Sequence, residues 1–191
     1  MAACLSPARR KVSIQDRTEE VIAVDFKAHA RQELGLSRRF IEGVIASLKT
    51  PEEWFYQAHP TTNPPLWIVG HLGLADNAFI ARFRPAAATK PDGWDERFWG
   101  GSKPRNDPSY YPAPEDVVAY LRERRAKLLS VLEELSDEEL NAPAPAAGER
   151  SPIAGAPSIG HLFLFAALHE ALHGGQLTVA HRALGNPPLF G

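Results

Sequence analysis

At 191 residues, with 44% hydrophobic and 23% charged residues, the chain has the length and composition of one ordinary globular domain. A formal net charge of −2 supplies no basic excess for nucleic acid. The one cysteine, Cys4, excludes a disulfide framework and any zinc site built on thiolates.

Residues 1–11 place their charges after a very short apolar stretch and lack the apolar region of a secretory signal. Residues 1–15 are expected to be disordered and 16–191 to form a single domain, with the cytoplasm as its location. The apolar runs around 66–80 and 159–172 are interrupted by histidine and acidic residues, so neither predicts a membrane span. Proline removes a backbone donor and clashes with the preceding turn, so the seventeen prolines mark where helices are not. Four long proline-free windows remain, 8–50, 66–84, 115–142 and 158–186, and they predict four helices.

In the first window Leu36, Phe40, Val44, Ile45 and Leu48 recur at a helical period. Its earlier half, with Val21, Ile22, Val24 and Phe26, is less regular, and Gly35 is a candidate bend or break. The second helix is expected to be capped by Asn63 and to run from the Pro64 and Pro65 pair through Trp67, His71, Leu74, Ala75 and Ala78. The segment 85–113 reads as a long loop rich in aromatic residues (Trp94, Phe98, Trp99, Tyr110, Tyr111), a length usually associated with function. The third helix starts at Pro114 with Glu115 and Asp116 favourably placed on its dipole. A turn is expected at 136–140 and a flexible connection at 141–157. The fourth helix is expected to be capped by Ser158 and to end at Gly185 and Asn186, before Pro187. No segment alternates at period two, so the expected fold is an all-α four-helix bundle with a long aromatic loop between helices 2 and 3.

His169 and His173 are four residues apart on the last helix, so their imidazoles share a face and can chelate one ion. A pair at this spacing also occurs in plain packing. His71, inward-facing on the second helix beside Trp67, Leu74 and Ala75, adds a third neutral donor and leaves a coordination position open, as in catalytic zinc sites. His169 and Glu170 begin a His-Glu-x-x-His sequence that matches zinc peptidases, where the glutamate is the general base. The downstream ligand of those enzymes is missing: Gln176 and Val179 stand where glycine and histidine belong, and Glu170 is the last acid of the chain. A third ligand must therefore come from upstream. His29, His59, His161 and His181 are expected to cap, to lie on the surface or to support the site. Gly174 and Gly175 suggest the close approach of another helix or of a ligand.

The stretch 63–72, with Trp67 and His71, taken with 161–177, with His169, Glu170, His173 and Gln176, resembles the DinB-like (YfiT-like) superfamily of metalloenzymes. The resemblance implies a four-helix bundle holding one divalent ion, zinc or nickel, on His71, His169 and His173, and in many cases a homodimer. It also implies activation of a low-molecular-weight thiol for transfer to a small-molecule substrate, which makes a thiol-dependent S-transferase the first expectation. A metal-dependent hydrolase with Glu170 or His161 as base, and a non-catalytic metal-binding bundle of stress response, are the alternatives. Trp67 and Gln176, inside the two motifs, are the expected pocket-lining residues.

Overall fold

The computed structural model describes residues 25–105, 107–149 and 151–189. The expectations for residues 1–15, for Cys4 and for Val21, Ile22 and Val24 fall outside them. Helix α1, Phe26–Ser47, starts where the Asp25 carboxylate accepts from the Ala28 N–H at 3.2 Å. It passes unbroken through Gly35 and buries Ala30, Leu34, Ser37, Ile41 and Val44, successive positions of one helical face. Leu36, expected on that face, is 37% exposed; Ser37 is inside because it has a buried carboxylate to bond. After the short α2, Pro51–Trp54, helix α3 runs over Pro65–Phe83 with Pro64, and not Asn63, at its cap position.

Almost every side of α3 is buried, as expected of a helix that is apolar all round. Two of its glycines admit neighbours that a methyl would exclude. A Cβ at Gly70 would lie 2.6 Å from Phe98 Cγ, and one at Gly73 2.8 Å from Tyr120 Cδ1. Phe98 belongs to α4, Trp94–Phe98, in the expected loop. That loop is folded: 3₁₀ turns at Pro85–Ala87 and Pro108–Tyr110 flank α4, and Trp94, Phe98 and Tyr111 are buried.

Helix α5, Pro114–Glu134, carries Glu115 and Asp116 in its first turn. The expected turn that follows is a capped helix, α6, Asp137–Asn141, in which Ser136 Oγ accepts from the Glu139 N–H at 3.1 Å and the Glu139 carboxylate from the Ser136 N–H at 2.8 Å. Helix α7 spans Ile159–Ala183. Ser158 stands at its cap position, but its hydroxyl bonds His161 Nδ1 at 2.9 Å and no backbone N–H. The helix stops at Gly185, whose φ of 87° suits glycine, with the Asn186 N–H returning to the His181 carbonyl at 3.3 Å.

Helix α3 lies along α5 and α1 along α7, and α3–α7 and α1–α5 contacts close the four-helix bundle. No strand occurs among the described residues, and none of their helices is long and apolar enough to cross a membrane. The interior has two apolar clusters, one around Leu66, Ile68, Phe98 and Leu121, the other around Ile80, Leu128, Leu132 and Phe163. Between them lies an ionic layer to which every long helix contributes: Ser37 and Arg38 from α1, Asp76 from α3, Arg125 from α5 and Glu170 from α7. Arg125 grips Asp76 through Nε at 2.8 Å and Nη2 at 3.1 Å, and reaches Glu170 Oε2 at 2.8 Å. Arg38 Nε donates to Glu170 Oε1 at 2.6 Å, and its Nη2 approaches Asp76 at 3.3 Å. Two guanidinium groups against two carboxylates leave the layer neutral, the condition for burying charge.

Candidate metal centre

His71 sits on α3 one residue beyond Gly70, so the seating of Phe98 also fixes the histidine. The His71 Nδ1–H donates to the Phe98 carbonyl at 3.0 Å. The ring stacks on Trp67 with centroids 5.0 Å apart and planes 10° apart. Trp67 is itself held through its Nε1–H, which donates to Ser102 Oγ at 2.8 Å. With the proton on Nδ1, the neutral ring directs its Nε2 lone pair at α7.

There it meets His169, with the two Nε2 atoms 3.3 Å apart, and His173, whose ring centroid is 4.8 Å from that of His71. The His173 Nδ1–H donates to Gln176 Oε1 at 2.9 Å, which leaves the Nε2 of that ring free as a lone pair as well. One ligand atom from each of the three histidines lies within 4.8 Å of the others. Facing lone pairs at such distances repel unless a proton or a cation lies between them. A tetrahedral ion with nitrogen bonds of about 2.0–2.1 Å sets its donors about 3.3 Å apart, the His71–His169 separation. The donor set therefore fits a divalent ion.

The three rings are also kept neutral. Burial pushes His71 down to about 4, with repulsion from His173 adding to it against the Phe98 hydrogen bond. Burial, followed by His173 and His71, takes His169 to about 4, and burial lowers His173. Protons thus compete weakly for these nitrogens at neutral pH.

A cavity of about 500 Å³ opens beside His71 and His169. It is lined by Ala75 and Ala78 of α3, by the adjoining rings of Phe79 and Phe165, and by Trp99, Gly100 and residues 151–153. The connection 141–157, expected only as a flexible link, thus supplies a wall. Trp67 and Gln176 do not line this cavity; they stand behind His71 and His173 and orient the rings. Gln176 lines a smaller cavity of about 230 Å³ on another side.

Glu170 is not brought to the histidines. It is 1% exposed, and Ser37, Arg38 and Arg125 occupy its oxygens. His181, buried at the far end of α7, links Ser47 Oγ at 2.8 Å to the Pro187 carbonyl at 2.7 Å. His161 pairs with Ser158 and His59 with Thr61, while His29 is exposed. Neither glycine after His173 marks a forced approach: a Cβ at Gly174 would meet Ile41 at an ordinary 3.5 Å, and Gly175 faces open space.

A family model described as the DinB superfamily matches residues 33–177. No curated protein matches the chain. Among solved structures the chain is similar to YfiT from Bacillus subtilis, described as a probable metal-dependent hydrolase with an unusual four-helix bundle topology. The TM-score is 0.58 at 15% identity, with 95% of each chain covered. At that identity the likeness is one of fold.

Proposed function

The chain belongs to the DinB superfamily, and on that premise we propose that it is a divalent-metal-dependent enzyme whose ion is held by His71, His169 and His173. Three neutral imidazoles from two helices, converging with their nitrogens within 4.8 Å and two of them lining a cavity, carry this reading. Borderline nitrogen donors suit zinc or nickel. A divalent ion supplies Lewis acidity there, favouring the ionised form of a nucleophile in its remaining coordination position.

The residues around the cavity favour a thiol as that nucleophile. Among the described residues its lining holds no carboxylate, and Glu170 is committed to the ionic layer. Among the described residues that line the cavity, none but the histidines themselves is in place as a general base, which suits a nucleophile that ionises readily. A thiol has a free pKa near about 8.5. The chain's part is then to orient His71, through Phe98 and Trp67, and His173, through Gln176, and to seat an electrophile against Phe79, Phe165 and Trp99. The product is the S-transfer adduct of a small molecule. Hydrolysis, with water as nucleophile, is the second reading, favoured by the fold shared with YfiT.

Metal analysis of purified protein tests the site. About one divalent ion per chain is expected in the wild type, and His71→Ala is expected to lose it while remaining folded. Full occupancy in that variant, or none in the wild type, would overturn the triad. Adding thiols to the cobalt-substituted protein separates the two reactions: a thiolate charge-transfer band supports transfer, and an unchanged spectrum supports hydrolysis.

A further inference from the structure

Among the described residues, the cavity beside His71 and His169 is lined by one permanent charge, and that charge is far from the histidines. His71, Ala75, Ala78 and Arg82 are spaced by four, three and four residues on α3, so they lie along one face. At 1.5 Å per residue, Arg82 sits about 16 Å along the helix from His71. Its side chain lines the cavity and is partly buried. Most of the other partly or fully buried arginines are engaged: Arg38 and Arg125 in the ionic layer, Arg84 with Glu139, and Arg97 with the Tyr110 carbonyl. No hydrogen bond or ion pair engages the Arg82 guanidinium among the described residues.

A free arginine on an open surface would mean little. Here the partly buried side chain lines a cavity with apolar walls, its guanidinium still reaching water, and no carboxylate lines the same space among the described residues. Guanidinium groups in such settings bind carboxylate, phosphate or sulfonate through paired hydrogen bonds. The other lining residues include aromatic and aliphatic ones, Phe79, Phe165, Trp99 and Ile153. About 500 Å³ is a normal volume for a pocket that takes a molecule of that length.

We propose that the cavity selects an elongated anionic amphiphile, with its acidic group on Arg82, its apolar body against the adjoining rings of Phe79 and Phe165, and its reactive end at His71 and His169. This deepens the proposed function and rests on its placing the reactive end at the histidines.

The test uses two fluorescent probes sharing one aryl body, 8-anilinonaphthalene-1-sulfonate and the uncharged N-phenyl-1-naphthylamine. Each is titrated into the full-length protein with zinc and after EDTA treatment. Arg82→Gln is expected to weaken sulfonate binding about tenfold and to leave the neutral probe within about twofold. Arg82→Lys is expected to keep most of the sulfonate affinity, which shows that the charge and not the fold is responsible. Ala78→Trp, which places a large ring in the cavity, is expected to weaken both probes. Unchanged sulfonate binding in Arg82→Gln or in Ala78→Trp overturns the proposal, as does an equal loss of both probes in Arg82→Gln. The EDTA arm keeps the two ideas apart. A charge preference that persists in protein unable to take up zinc sinks the metal site alone, and zinc uptake without the preference sinks the amphiphile pocket alone.

Discussion

Replacing Glu170 by alanine would strip the ionic layer of one of its two carboxylates. Arg125 would keep its bidentate hold on Asp76, but Arg38 would be left with Asp76 at 3.3 Å as its only carboxylate. The layer would carry an uncompensated positive charge in a site where Glu170 is 1% exposed and Arg125 side-chain exposure is 6%. Removing one partner of a buried ion pair costs about 3–5 kcal/mol. In a domain of this size each kcal/mol moves the melting temperature by about 2–4 °C, so Glu170→Ala is expected to melt about 6–20 °C below the wild type. Glu170→Gln keeps the shape and can accept from Arg38 or Ser37, yet it turns an amide donor toward another donor. A loss of about 2–3 kcal/mol is expected for it. Urea unfolding of the metal-free proteins measures both changes, and competition with a chromophoric chelator measures zinc affinity, expected to stay within about threefold in Glu170→Gln. A Glu170→Ala protein that unfolds at the wild-type urea concentration would refute the ionic layer. A Glu170→Gln protein of wild-type stability that had lost turnover would return the glutamate to the role of base.

Acid should destabilise the metal-free protein within a defined window. His71 binds its proton near 6.5 when unfolded and at about 4 when folded, so between those values the unfolded chain holds more protons. Stability present above pH 6.5 is therefore lost as the pH falls toward 4, and the His71 shift alone corresponds to about 3 kcal/mol. Urea midpoints of EDTA-treated protein, taken at steps across the window, should fall together with pH; a flat series would contradict the burial of the three rings. Gln176→Ala removes the acceptor that fixes the His173 tautomer, and is expected to weaken zinc binding about tenfold. Because Gln176 is exposed, the metal-free protein should change stability by less than about 0.5 kcal/mol. Calorimetric zinc titration and a melt of the same sample decide that case.

The four long helices could be read from the sequence because proline is sterically barred from their interiors, and Gly185 because the chain needs a left-handed residue after α7. The convergence of His71 with His169 and His173 could be read because helical periodicity turned all three inward. Leu36 misled, since an exposed leucine and a buried serine interrupt the pattern of α1, and only the partner of Ser37 explains the exchange. The capping box of α6 was visible in Ser136 and Glu139, although the segment reads as a turn when its shortness is given weight. The ionic layer had half a signal, in Asp76 and Glu170 standing inside otherwise apolar windows, while Arg38 and Arg125 lie among other charged residues of α1 and α5. What was missing was the axial register of four helices, which no single window contains. The Phe98 carbonyl that orients His71 had no signal at all, because a backbone acceptor is the same at every residue. The cavity wall at 151–153 was hidden for a related reason: a Pro- and Gly-rich link shows where a helix stops and not what it rests on.

The His-Glu-x-x-His sequence takes a different meaning from this register. Adjacent residues on a helix point about 100° apart, so His169 and Glu170 cannot both face one ion at close range unless the site wraps around the helix. In this bundle they serve two neighbours at one level of α7. His169 faces α3 and meets His71, while Glu170 faces α1 and α5 and joins Arg38 and Arg125. The same turn of helix therefore does two jobs. Its charged side fixes the axial position of α7 against the other three helices, and that position decides whether its imidazoles arrive opposite His71. Across the gap, Gly70 lets Phe98 press against α3, and the Phe98 carbonyl then sets the tautomer that His71 presents. Each half of the site is thus aligned by a different neighbour of its own helix, so the segment 85–113 anchors the first half through the His71 ring and the ionic layer anchors the second through Glu170.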